Sequence, residues 1–114
     1  MENSEFEKSK TFIINEMPEY VSNSVVMRTI LRKITGNVTA ISLDSGQNLT
    51  EKISPFDTFI QVIDGKGDIC INDKTITLDA GQCIIIPAHS RNTFHANVRF
   101  KMLSTTIKSG YELL

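Results

Sequence analysis

The sequence predicts an all-β fold, an antiparallel barrel or sandwich of short strands, and three observations carry that expectation. Turn-forming clusters recur at short intervals, among them Asp44-Ser45-Gly46, Asp64-Gly65-Lys66-Gly67, Asn72-Asp73-Lys74, Asp79-Ala80-Gly81 and Pro87 to Asn92. Glycine supplies positive φ in such turns, and Asn or Asp bonds its own backbone. Between the clusters lie short runs rich in Val, Ile, Thr and Phe, the residues that fit a pleated, half-buried surface. No stretch between them carries the 3.6-residue apolar period of an amphipathic helix.

In chain order, Met1 to Lys10 is polar and reads as a loosely held segment, with a single domain over residues 11–114. Thr11 to Asn15 is the first predicted strand, followed by Val25 to Ile34 and Val38 to Leu43 on either side of Thr35-Gly36-Asn37. Asn48 to Ile53 comes next. Thr58 to Ile63 and Asp68 to Ile71 flank a glycine-containing turn at 64–67 and read as a hairpin, and Thr75 to Leu78 follows a second hairpin turn at 72–74. In Cys83 to Ile86 the run Ile84-Ile85-Ile86 is apolar on both parities, so both of its faces should be covered, one by the barrel and one by a second sheet or another chain. Thr93 to Ala96 and Arg99 to Ile107 complete the series.

Bulk properties narrow the function. A chain of 114 residues holds one hydrophobic core. With 12 basic and 13 acidic residues the formal net charge is -1, so no overall positive field gathers nucleic acid or anionic lipid. A chain used up by strands leaves no room for a helix-turn-helix. The polar start lacks a signal-peptide apolar region, and no run approaches the ~18 apolar residues of a spanning helix, so a cytoplasmic protein without membrane partners is expected. Cys70 and Cys83 lack metal-type spacing and read as two reduced, buried thiols.

The segment Gly46 to Gly65, followed by Gly81 to Ala96, resembles the two sequence motifs of the cupin superfamily. The first family motif runs from a glycine through five residues to a His-x-His pair, then a Glu, then a closing glycine. Here Gly46 and Gly65 stand at those ends, Lys52-Ile53-Ser54 occupies the histidine positions and Thr58 the glutamate position. In the second motif Gly81 and Pro87 fit, while His89 stands at a glycine position, Asn92 at the histidine and Ala96 at the asparagine. Pro55-Phe56-Asp57 and Phe100-Lys101-Met102-Leu103 look like a group of small, single-domain bacterial cupins. The resemblance implies a jelly-roll barrel, a double-stranded β-helix, with a site at its centre, and it implies a homodimer.

Cupin metal sites need imidazoles and a carboxylate converging from neighbouring strands. Lysine offers no lone pair at neutral pH, Ser and Thr hydroxyls are weak neutral ligands, and Asn gives one carbonyl oxygen. A metal-free barrel without a cofactor is therefore expected. If Thr58 points inward as the family's glutamate does, so do Ile60 and Val62, while Phe59, Gln61 and Ile63 point outward. Asn92 shares its parity with Phe94 and Ala96, and the result is a hydrophobic cup with a small polar floor.

Lys52 would anchor a carboxylate or phosphate there, serve as an amine base or nucleophile, or snorkel to solvent from the strand end. Ser54 and Thr58 are either ligand contacts or strand-compatible polar residues satisfied by backbone, and Asn92 is either a contact or a turn former. His95 has the opposite parity to Asn92 and should leave the cup, whereas His89 and Arg91 could sit at its mouth and attract an acidic ligand. The leading functional expectation is a module that binds a small polar or anionic metabolite through Lys52, Ser54, Thr58, Asn92, His89 and Arg91. The alternative is a cupin enzyme of isomerase, oxygenase or decarboxylase type using Lys52 or a displaced metal.

Overall fold

The computed structural model describes residues 5–51 and 53–108. Eight strands follow one single-turn 3-10 helix: β1 (Val25–Lys33), β2 (Gly36–Leu43), β3 (Asn48–Glu51), β4 (Thr58–Ile71), β5 (Lys74–Asp79), β6 (Cys83–Ile86), β7 (Asn92–His95) and β8 (Phe100–Ile107). All pairs are antiparallel. One sheet runs β1-β2-β8-β4-β6 and the other β5-β4-β7-β3, with β4 common to both. This is the all-β, antiparallel jelly-roll barrel that the sequence predicts.

β4 replaces the expected hairpin at 64–67. Residues 58–71 form one strand whose first half pairs β6 and β8 and whose second half pairs β5 and β7. A register shift between Val62 and Asp64 marks a bulge that re-aims the strand from one sheet to the other. Gly65 sits beside it at φ 76°, where a Cβ would lie 2.2 Å from the Arg99 carbonyl oxygen. The turn-like composition thus encodes a sheet corner. The other hairpin is as tight as one can be: Ile71 pairs Lys74 across Asn72 (φ 48°) and Asp73 (φ 71°), the two left-handed residues of a type I′ turn.

Alternation along the strands fills the barrel. Ile60 and Val62 from β4, Ile41 from β2, Met102 from β8 and Phe94 from β7 are buried with Phe100 and Ile69 in one cluster. Phe100 packs under Gly67, whose missing side chain leaves room for the ring. In the first half of β4 the odd-numbered residues point out, and Phe59 (42% exposed) pairs directly with Ile85 (60% exposed). Ile85 is therefore uncovered among the described residues. The same outward parity exposes Cys83, and Cys70 is half-buried, so the expectation of two buried thiols is corrected; both are free.

The described N-terminal residues cover part of the outer face. Thr11 to Asn15 is not a strand: Ile14–Glu16 forms the 3-10 turn, because this segment crosses the sheet rather than joining its edge. Its work is to bury Lys101, 5% exposed, whose Nζ donates to the Asn15 carbonyl at 2.6 Å and lies 4.8 Å from the Tyr20 ring centroid. Arg99 stacks on the same ring. Tyr20 donates its hydroxyl to Asp64, and burial together with that carboxylate holds the phenol proton well above its ordinary range. Further upstream, Phe6 N donates to the Ile30 carbonyl and Glu5 accepts from Arg32 N at 2.6 Å, so residues 5 and 6 are tied to β1.

Candidate functional site

One end of the barrel opens into a cavity of about 260 Å³. Its position follows from strand parity. The inward residues at this end of β4 and β8 are Thr58, Ser104 and Thr106, short and polar, where the middle of the barrel has Ile60 and Met102. Thr58 and Thr106 face each other across the ladder with their hydroxyls 3.1 Å apart. Short side chains leave volume unfilled, and their hydroxyls make it polar. Asn37 and Thr39 from β2 extend the polar wall, and Ile41, Ile60, Ile86 and Phe94 close the inner end.

The loops before β4 and after β6 are fastened to each other. His89 N donates to the Ser54 carbonyl at 2.7 Å, and Ala88 N to the Asp57 carboxylate at 2.8 Å. His89 takes φ 65°, a left-handed conformation that accounts for the glycine of the matching family motif. The fastening fixes Ser54 at the cavity wall, where its Oγ accepts from Phe56 N at 3.0 Å. Phe56 lines the wall beside it, and buried Ser90 donates to the Pro87 carbonyl.

Of the residues expected at the site, Ser54, Thr58 and Asn92 converge on this cavity. Lys52 lies outside the described residues. His89 and Arg91 do not line the cavity. His89 is an exposed turn residue, and Arg91 faces a separate depression of about 230 Å³, where its guanidinium lies 3.5 Å from Asp73 and both side chains are solvated. His95 points away from the cup, towards Asn48 and Asn97. Asn92 is 9% exposed, and its Oδ1 is sealed from solvent with no hydrogen-bond partner among the described residues.

Sequence reasoning missed Glu51. It pairs with Asn92 across β3 and β7 and shares inward parity with Leu49, which packs against the core. The family motif directs attention to residue 52, but β3 ends at Glu51, and 51 is the position with the parity of the core. The carboxyl is half-buried, and desolvation alone pushes its pKa up. Glu51 and Asn92 form the partition between the cavity and the depression that holds Arg91.

The donor set does not suit the metal that cupins commonly carry. Ser54, Thr58 and Asn92 present neutral oxygens at three family ligand positions, where divalent transition metals favour imidazole or thiolate and hard cations favour several carboxylates. No cluster of three His, Cys, Asp or Glu side chains able to hold a metal occurs among the described residues. What the arrangement offers is hydrogen bonding around a small guest, with an apolar inner end to exclude water.

No known family profile matches the chain, and no curated protein sequence matches it. Solved structures do. A conserved protein of unknown function from Streptococcus pyogenes superposes with a TM-score of 0.86 at 25% identity, over 93% of each chain. A cupin superfamily protein from Desulfitobacterium hafniense gives 0.84 at 20% identity over 96% of this chain and 100% of its own. A cupin 2 conserved barrel domain protein from Leptotrichia buccalis gives 0.82 at 26% identity, over 85% of this chain and 47% of its own. Glycine spacing, the jelly-roll topology and these superpositions agree: the chain has the cupin fold.

Proposed function

We propose that this barrel is a binding module for a small polar metabolite, working without a metal and as a homodimer. The observation that carries the reading is convergence: Ser54, Thr58 and Asn92, at family ligand positions, line one cavity together with Ser104 and Thr106. A cavity of about 260 Å³ suits a ligand the size of a sugar or small organic acid. The orphaned Asn92 Oδ1 supports it further, because a buried acceptor left unpaired costs about 1–3 kcal/mol and a guest that pairs the carboxamide would recover part of that.

Thermal-shift screening over sugars, polyols, amines and organic acids tests the proposal, since a ligand at a hundred times its dissociation constant adds about 2.7 kcal/mol. A stabiliser lost on substituting Asn92 is expected. A broad panel without any stabiliser would overturn the reading. Support for the dimer comes from the paired Phe59 and Ile85, large apolar side chains exposed side by side on the outer sheet face. Two free thiols are consistent with the reducing cytoplasm we assign to it.

A further inference from the structure

The cavity has an electrostatic sign. Among the described side chains lining it, Glu51 is the one that ionises; the others are hydroxyls, amides and apolar groups. No cation lies within ion-pair distance of its carboxylate among the described residues, and the nearby Arg91 is engaged by Asp73. Across the ladder stands Asn92, whose unpaired Oδ1 is a second acceptor. The ring of Phe56 adds an aromatic surface to the same wall, and aromatic faces attract cations.

A carboxylate partly withdrawn from water, with no counter-charge among the described residues, favours a guest that brings one. An anion would meet repulsion from Glu51, and hydroxyls that donate and accept equally well would not offset it. Resting on the reading of the cavity as a binding site, we propose that the ligand is a small amine in its ammonium form, paired by the Glu51 carboxylate and seated beside the Asn92 carboxamide. The ammonium enters from the side where the partly buried Glu51 also borders the neighbouring depression. The remainder of the guest lies against Thr58 and Thr106, whose hydroxyls accept or donate as its substituents require.

Matched probes of one size and three charges test the assignment. Thermal shifts at pH 6.5 and constant ionic strength compare propylammonium, propanol and propionate, then glucosamine, glucose and glucuronate. The ammonium member of at least one set is expected to raise the melting temperature most. Glu51→Gln should weaken it about ten-fold, and Lys66→Ala, a solvated residue that does not line the cavity, should leave it unchanged. Asn92→Leu, close to isosteric and apolar, provides a second variant should Glu51→Gln lose its fold by circular dichroism. If propionate or glucuronate stabilises most and Lys52→Ala removes the effect, the site takes anions: the amine assignment falls while the binding module stands. Equal stabilisation by the neutral members overturns the assignment in the same way. If no probe of any charge acts, both the assignment and the binding module fall.

Discussion

At the residue scale Asn92 and Glu51 sacrifice stability to line a cavity. Asn92 keeps a sealed, unpaired Oδ1, so replacing it with leucine removes a buried polar group at little steric cost. Asn92→Leu is expected to melt no lower than the native protein, and up to about 2 kcal/mol more stable, while losing response to the native stabiliser. Differential scanning calorimetry with and without that ligand reads both effects. Glu51 sets a pH dependence whose sign follows from burial. Its pKa in the fold lies above the unfolded value, so its ionisation is unfavourable to folding. Stability from this group is intact below the unfolded pKa and is lost as pH rises through the folded one. Arg91, Asp73 and Cys70 border the neighbouring depression, but desolvation alone accounts for the shift. Glu51→Gln should therefore stabilise the ligand-free protein at pH 7, by less than about 1 kcal/mol because the half-exposed carboxylate is screened, and the gain should vanish near pH 4. A gain that grows towards acid would show the sign to be wrong.

At the scale of elements, the most informative departures from the sequence reading occur where one signal has two structural uses. Asp64-Gly65-Lys66-Gly67 has hairpin composition, yet its glycines serve a bulge and a close packing contact inside one 14-residue strand. A local pattern cannot distinguish the two, because positive φ and missing side chains are demanded by both. Gly65→Ala should cost upward of about 2 kcal/mol in urea unfolding, since a left-handed backbone and a backbone oxygen 2.2 Å from the new Cβ act together. The opposite effect is expected at the real hairpin. Asp73 adopts φ 71° at the second turn position, where glycine is preferred, so Asp73→Gly should raise stability by a few tenths to about 1 kcal/mol despite losing a solvated contact with Arg91. β2, β6 and β8 lie within two residues of their predicted bounds, and β2 and β6 are bracketed by turn-forming clusters plain in the sequence. The site was half legible for a related reason. Ser54, Thr58 and Asn92 follow from motif spacing, whereas Thr106 and Glu51 emerge only when antiparallel register places them opposite Thr58 and Asn92.

For the whole molecule, barrel and outer face divide the work. The inner cluster around Phe94, Phe100 and Ile69 holds both sheets together, and the described N-terminal residues shield Lys101 on one part of the outside. Phe59 and Ile85 remain open on another. If that face joins two copies, Phe59→Asp should yield monomers in sedimentation velocity at micromolar concentration, where the native protein sediments as a dimer; a native monomer would exclude the homodimer. No helix among the described residues is long and apolar enough to cross a membrane. On the proposed function, the hydroxyl- and amide-lined end of the barrel receives a small guest. The most direct test is a map of backbone and side-chain amide shifts by ¹⁵N NMR as the best stabiliser is titrated in. Perturbations confined to Glu51, Ser54, Thr58, Asn92 and Thr106 are expected; shifts centred instead on Arg91 and Asp73, or spread evenly over the surface, would contradict binding at this end.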